Sequence, residues 1–533
     1  MTTHEVTNQP PPRVDLDEYA QNRPLSEAVE VFGAAWSTDH LHRVGAHVGT
    51  EQFQRDAATA HRIPPTLRTH DRWGRRVDEV DYDPAYHRII GAAVADGAHT
   101  SAWAEPREGA AVARAATFML YAQVEPGHAC PVSMTHAAVP SLRHSPELAK
   151  TWQPRLFSRD YDPRLVPDKT SALIGMAMTE KQGGSDVRAN TTRAVDAGDG
   201  SHRLTGHKWF CSAPMSDAFL VLAQEHEGLS CFLVPRVLED GARNVFALQR
   251  LKDKVGNRSN ASSEIELDRT VGLRVGESGR GVRTIIEMVA HTRLDCVLGS
   301  AAGMRQAVAE AVWHARHRSA FGARLVEQPA MAAVLADLAL ESEAATWTAL
   351  RLARAHDGDA DEQERGFRRI ATAVAKYWVC KRGPGHSYEA MECLGGNGYT
   401  EDFPLAMRYR EQPVMAIWEG SGNVIALDVL RAMGREPGSV EAFFEVVSAA
   451  GREHPAVDAH LARCRELAGT AGPSTARMLV EALALALQAS VMLQHAPTPV
   501  GEAFVASRLG GQGGHLYGVL PLGTNAEAVL QRA

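Results

Sequence analysis

Five short islands hold the residue types that bind flat or phosphorylated ligands and move protons. The first is Met178-Thr179-Glu180-Lys181-Gln182-Gly183-Gly184-Ser185-Asp186, followed by Asn190-Thr191-Thr192. Glycines let a backbone approach a ring or a phosphate, and hydroxyls and free amides then bond to it. The same string also reads as an ordinary turn. The second, Gly206-His207-Lys208-Trp209-Phe210-Cys211-Ser212, sets an aromatic beside a hydroxyl at the end of a strand. It could cover a ring and bond to it, or be a core Trp and a turn Ser. The third, Arg318-Ser319-Ala320-Phe321-Gly322 with Gln328 following, ends a helix in a cation and a glycine, which is also a plain C-cap. The fourth, Leu394-Gly395-Gly396-Asn397-Gly398-Tyr399, ends a helix and frees backbone amides. The fifth, Ile417-Trp418-Glu419-Gly420-Ser421-Gly422-Asn423, places one carboxylate between an apolar wall and flexible glycines. Burial there would tune Glu419 toward a general base; a lone Glu before Gly is also a common cap.

The elements that must carry these islands change period along the chain. Residues 25–152 read as mostly helical, with Ala111, Ala115, Met119 and Ala122 at helical spacing and no sharp strand signal. Near Ser171 the period shortens. Leu173–Met178, Arg203–Phe210, Ala218–Gln224, Ser230–Val234, Asn244–Leu248 and Ser263–Leu267 read as strands of a small β-barrel or sandwich. From Val282 the helical period returns, with Met304, Ala307, Val308, Ala311, Val312 and Ala315 in one stripe. Helices are expected over Ala330–His356, Phe367–Cys393 and Ile425–Met433, as in a bundle. After the break at Glu436-Pro437-Gly438, two or three more helices fit, with a loop at Gly510–Gly514. The chain is therefore read as α+β: an N-terminal arm and helical domain over 1–172, a middle β domain over 173–279, a helical bundle over 280–436 and an extra C-terminal helical domain over 437–533.

Composition narrows the classes. The 533 residues are 44% hydrophobic and 23% charged with a net charge of −8, which argues against wholesale attraction to nucleic acid or anionic lipid. Seven scattered cysteines without a Cys-x-x-Cys argue against a disulfide framework and a zinc site, and fit a reducing compartment. No signal peptide is visible, and the apolar run Leu479–Leu493 is read as too short to span a bilayer, so no membrane role and a cytoplasmic location are expected. The opening Asn8-Gln9-Pro10-Pro11-Pro12 is extended, either a surface arm or a contact between subunits.

The order of the islands, within a helix–β–helix layout, resembles the acyl-CoA dehydrogenase superfamily. That family carries Thr-Glu-x-x-x-Gly-Ser-Asp before its β domain. Arg-x-x-Phe-Gly and Leu-Gly-Gly-x-Gly-Tyr follow in its second helical domain, with Trp/Tyr-Glu-Gly near the end. Over nearly the whole length the sequence is similar to the AidB branch. Asn8–Pro12, Met178–Asp186, Asn190–Ala194, Arg250–Lys254, Gly256–Ser262, Arg293–Cys296 and Ile417–Asn423 carry that likeness.

The resemblance implies an FAD cofactor. Met178, Thr179, Gly184 and Ser185 would bond to the flavin ring and pyrophosphate, and Trp209, Phe210 and Ser212 would cover the ring. Trp418, Gly420, Ser421 and Asn423 would touch the cofactor beside the base. Arg318, Phe321, Gln328, Gly395 and Gly396 would reach the FAD of a neighbouring subunit, which implies a homo-oligomer, a tetramer built as a dimer of dimers. Glu419 would take the α-proton of an acyl-CoA thioester as flavin N5 accepts the β-hydride; the electron acceptor is unspecified. Two alternatives share the fold. One is a DNA-associated protective flavoprotein of the alkylation-damage response. The other is a flavin oxidase or monooxygenase, whose nitroalkane-oxidising relatives use Asp rather than Glu as base. The branch's DNA-facing tail is basic. Here residues 438–533 hold six Arg (452, 463, 465, 477, 508 and 532), no Lys and eight acidic residues, so binding of double-stranded DNA by this tail is not favoured.

Overall fold

Charged residues alternate with few apolar ones over residues 66–81, yet this segment forms a hairpin of β1 (Thr66–His70) and β2 (Arg76–Asp81). The reading of 25–152 as mostly helical without strand signals is corrected there. The strands are polar on both sides, so they lack the apolar alternation that marks a strand, and only Trp73-Gly74, with Gly74 at φ 80°, betrays the turn. The computed structural model describes residues 3–449 and 454–533, so Arg452 of the tail lies outside the described residues. The chain divides into two compact units, one of Arg55–Pro106 and Glu125–Asp295, the other of Met1–Gln54, Arg107–Val124 and Cys296–Ala533.

The first of these units is built on a seven-stranded sheet. It comprises β3 (Ile174–Ala177), β4 (Arg193–Asp196), β5 (His202–Ser212), β6 (Ala218–Glu225), β7 (Gly228–Pro235), β8 (Ala247–Leu251) and β9 (Ser262–Val275). Pairings β6–β7, β7–β9, β9–β5, β5–β4 and β4–β6 close a ring, with β3 parallel to β6 and β8 antiparallel to β9 outside it. β4 was not expected, and β8 begins three residues later than the Asn244 start read from sequence, because Asn244 instead uses its side chain to bond Pro235 O and Val271 O.

β6 shows why the barrel holds. Phe219, Val221 and Ala223 point into a core with Leu204, Phe232, Phe246, Ile265 and Leu267. Leu220 and Leu222 point the other way, onto Met134, Ala138, Leu142, Trp152 and Leu156 of the helices Ala129–Leu142 and Pro146–Leu156. A strand buried on both faces reads as a continuous apolar run, as this one does.

Among the described residues, the second unit is helical apart from the small hairpin β10 (Ser319–Ala320) and β11 (Ala323–Arg324). The helix Glu362–Glu392 packs against Pro329–Ala355, Leu405–Ile417, Gly422–Arg435, Pro437–Ser448 and Ala476–His495. Gln412 reaches between helices at two glycines, Gly303 and Gly383, where any Cβ would collide with its amide. Beyond Pro437 there are five helices among the described residues rather than two or three: Pro437–Ser448, Pro455–Thr470, Ala476–His495, Thr498–Arg508 and the short Ala526–Leu530. The Gly510–Gly514 stretch is a loop.

Ala476–His495 is, at 20 residues, long and apolar enough to cross a membrane, which corrects the reading of its core as too short. It is 72% buried within the protein, and Leu479, Leu483, Leu487 and Val491 are core residues of the helical unit.

Candidate functional site

The first two islands meet at one rim of the barrel. Trp209 N donates to Thr179 O at 2.8 Å. Their neighbours in sequence, Lys208 and Glu180, form an ion pair with Nζ 2.7 Å from Oε1 and both side chains wholly buried. Glu180 also accepts from Thr191 N (2.7 Å), Thr191 Oγ1 (3.0 Å), Thr192 N (3.1 Å) and Gln182 Nε2 (2.8 Å), and Lys208 donates to Leu222 O at 2.8 Å. Burial alone would raise the Glu180 carboxyl; the Lys208 ammonium and the Thr191 and Thr192 donors hold it well below the usual carboxylate range. Burial pulls Lys208 down to about 8 against the attraction of Glu180. The pair ties the Thr179–Ser185 loop to β5, the strand that carries Trp209.

That strand is irregular where it matters. Lys208 pairs with Ile265 and Cys211 with Ser263, so β5 inserts one extra residue at Trp209-Phe210. A bulge re-aims side chains. Here Trp209 is half-buried and Phe210 is 49% exposed between the buried Lys208 and Cys211. Lys252 places its Nζ 3.1 Å from the Trp209 ring centroid and 2.7 Å from Glu264 Oε1. Arg250 Nε shares that carboxylate oxygen at 2.5 Å.

Met178 and Thr179 are half-buried, and Gly184 and Ser185 are exposed. Gly184 presses on the Thr179 side chain so closely that a Cβ would collide with it, while at Gly183, φ 151°, the space is open. Ser212 Oγ lies 3.1 Å from Ser262 Oγ. Thus Met178, Thr179, Gly184, Ser185, Trp209, Phe210 and Ser212 all belong to the loop and strand that this pair joins.

The remaining candidates lie in the helical unit. Glu419 occupies the turn between Leu405–Ile417 and Gly422–Arg435, half-buried, with φ 56°, followed by Gly420 at φ 106°. A left-handed Glu is uncommon and costs about 1–3 kcal/mol unless its surroundings impose it. Lys376, 1% exposed in the helix Glu362–Glu392, supplies that constraint, donating to Gly420 O at 2.6 Å and to Ala416 O at 3.3 Å. Trp418 packs on the cluster of Cys296, Cys380 and Met415. Ser421 and Asn423 are exposed at the start of the next helix, and a Cβ at Gly422 would meet Lys381 Cε at 2.5 Å. Burial, then the nearby Arg477 and Lys376 cations, lower the Lys381 pKa.

The third island proves more than a helix cap. The Gly281–His317 helix stops one residue before Arg318, and Phe321 and Gly322 (φ 53° and 85°) close a tight two-residue hairpin between β10 and β11. Phe321 is 100% exposed at its tip, and Gln328 Nε2 donates to Ala320 O at 3.1 Å. Gly395 and Gly396 are exposed in a 3-10 turn with nothing close to either Cα hydrogen.

Lys208, Lys376 and Lys252 were not singled out from sequence. A signal existed for Lys376: it stands between Ala373-Val374-Ala375 and Tyr377-Trp378-Val379 in a helix, where a lysine must either snorkel or find carbonyls.

Known families and structures match nearly the whole chain. The adaptive response protein AidB N-terminal domain family matches residues 8–163, the acyl-CoA dehydrogenase middle domain 175–270 and the acyl-CoA dehydrogenase C-terminal domain 279–434. AidB of Escherichia coli (strain K12) is 45% identical over 516 residues, covering 96% of this chain and 95% of its own. Among solved structures, Caenorhabditis elegans ACDH-11 in complex with C11-CoA superposes with a TM-score of 0.86 at 25% identity, covering 100% of this chain and 93% of that one. The apo form of Bd2924 gives 0.83 at 26% identity, with 92% and 99% covered. The α+β layout, the barrel-rim loop and the long shared sequence place this chain in the AidB branch of the acyl-CoA dehydrogenase superfamily, a family of FAD-dependent oxidoreductases.

Proposed function

We propose that the chain catalyses α,β-dehydrogenation of an acyl-CoA thioester, with Glu419 as the base. The observation that carries this reading is the Glu419 turn, a carboxylate held in a left-handed backbone by a buried lysine on the carbonyls either side of it. Residues held in strained backbone cluster at functional sites, and Glu419 is the one carboxylate of the fifth island so held.

The barrel rim suits a flavin nucleotide. An open glycine backbone at Gly183-Gly184, hydroxyls at Thr179, Ser185 and Ser212 and a half-buried indole supply the donors and the flat wall such a group takes. Met178, Thr179, Gly184, Ser185, Trp209, Phe210 and Ser212 would hold it. By the family resemblance, Trp418, Gly420, Ser421 and Asn423 would be cofactor residues as well. FAD, when bound, supplies a two-electron acceptor for the β-hydride. Glu419 takes the α-proton onto a carboxylate oxygen, and the Cα–Cβ double bond forms as the Cα–H and Cβ–H bonds break. Lys376 keeps the carboxylate aimed; the Lys208–Glu180 pair keeps the ring-binding loop and Trp209 in register. Arg318, Phe321, Gln328, Gly395 and Gly396 would serve the FAD of a second copy, in a tetramer. A reducing cytoplasm is the proposed location, consistent with the scattered cysteine spacing.

Anaerobic addition of acyl-CoA to the FAD-loaded protein tests the proposal. Glu419→Gln is expected to retain FAD and to slow flavin bleaching by at least about 100-fold, the lower end for loss of a general base.

A DNA-facing tail is the weaker reading. Arg508 is taken up by Asp337 (2.5 Å) and Glu341 (3.1 Å), and Arg532 by Glu343 (2.7 Å) and Glu27 (2.5 Å), so two of the tail's arginines are internal. Internal arginines release no counterions from phosphate.

A further inference from the structure

The N-terminal arm does something its sequence did not announce. It runs along the Gly281–His317 helix, where Trp313 Nε1 donates to Pro11 O at 2.8 Å and Arg305 Nη2 to Gln21 O at 2.6 Å. Its outer end closes on the β10–β11 hairpin. Asn8 Oδ1 accepts from Ser319 N at 2.8 Å, Asn8 Nδ2 donates to Ser319 O at 2.8 Å, and Asn8 O accepts from Arg318 Nη1 at 2.5 Å. One amide side chain therefore satisfies both backbone groups of Ser319, as a neighbouring strand would. Asn8 itself has φ 56°, a conformation Asn tolerates better than most residues.

The hairpin needs such a brace. Two paired residues per strand do not make a self-sustaining ribbon. Its tip also holds a Phe at φ 53°, fully exposed and so gaining nothing from its own chain. Gln328 braces one strand through Ala320 O, and Asn8 braces the same strand through Ser319 and fixes the Arg318 guanidinium.

We infer that Asn8 is a positioning residue for flavin binding: it preorganises the Arg318–Gly322 hairpin so that Phe321 is presented, already ordered, to the FAD held by a second copy of this chain. The inference rests on the reading that this hairpin serves the cofactor. Ordering a loop before binding removes that cost from the binding step.

The test is FAD titration of full-length apoprotein, read as flavin fluorescence quenching, with thermal unfolding measured alongside. Asn8→Gly keeps the left-handed backbone without strain and deletes only the amide clamp. It is expected to weaken FAD binding about tenfold, the effect of losing two exposed hydrogen bonds, while the apoprotein melts where the wild type does. Asn8→Asp keeps an acceptor for Ser319 N and is expected to recover part of the loss. Wild-type FAD affinity in Asn8→Gly, with weakened affinity in Phe321→Ala, overturns the role of Asn8 and leaves the hairpin reading standing. Unchanged affinity in both variants overturns both. A loss in Asn8→Gly that is matched by a lower melting temperature of the apoprotein also overturns it, because the arm would then be only a stabilising strap.

Discussion

At the scale of single residues, one buried ammonium group holds the Glu419 turn. A cation is costly to bury unless its donors are satisfied. Lys376 spends its donors on the carbonyls of Ala416 and Gly420, which bracket Trp418 and Glu419. Lys376→Met, which keeps volume and removes the donors, is expected to lower kcat by about 10- to 100-fold with little change in KM and with FAD retained, since displacement of a reacting group by about 1 Å costs that much. Steady-state kinetics with an artificial electron acceptor reads the split; an equal rise in KM would show that the lysine holds substrate rather than the base. The setting of Glu419 between Trp418 and Gly420 was readable in the sequence and made it the candidate base. Its left-handed backbone was not readable, because φ is set by the turn's closure against a helix far away in sequence.

At the scale of elements, the barrel rim depends on coupling a loop to a strand. The Lys208–Glu180 pair joins residues 28 apart, and Glu180 draws in Thr191 and Thr192 from the next segment. Lys208→Met leaves an ionised carboxylate buried without its cation. The expected cost is about 3–5 kcal/mol in denaturant unfolding, with weakened FAD binding. The double variant Glu180→Gln/Lys208→Met is expected to recover a large part of that stability, since it removes both charges. Recovery of stability without FAD binding would show that the pair aims the loop as well as holding it.

Much of this barrel was readable, because strands such as Ala218–Glu225 and Gly228–Pro235 are apolar on both faces and bounded by turn residues. What escaped were the polar strands. β1, β2 and β4 hold seven Arg, Asp and Glu among their fifteen residues, and only Leu67, Val80 and Ala194 from these strands reach the barrel core. The bulge at Trp209-Phe210 also escaped, since a register slip of one residue has no mark in the residue types themselves.

At the scale of the whole chain, the tail is joined to the bundle by charge as well as by packing. Glu341 on the helix Pro329–Ala355 accepts from Arg382 at 2.9 Å and from Arg508, on the tail helix Thr498–Arg508, at 3.1 Å. Burial alone would raise its carboxyl, but the two guanidinium groups hold it at about 2 against an ordinary 4.5. The unfolded chain therefore binds this proton more readily than the folded one. The contribution of Glu341 is complete above about pH 4.5 and drains away as pH falls toward 2. The protection factors of residues 498–508, taken relative to the intrinsic exchange rate at each pH, are expected to fall between pH 4.5 and 3 in the wild type. In Glu341→Gln they are expected to be low already at neutral pH, with little further change over that range. Composition showed that the tail was acidic; it could not show that Arg508 and Arg532 are inward staples, because the partners Asp337, Glu341, Glu343 and Glu27 lie elsewhere in the chain.

The most direct measurement is anaerobic reduction of the FAD-loaded protein by acyl-CoA, followed at the flavin absorption band for the wild type and for Glu419→Gln. The account expects the wild type to bleach in proportion to added thioester, and the variant to hold its flavin yet bleach at least about 100-fold more slowly. Equal bleaching of both proteins, with flavin bound in each, would contradict it.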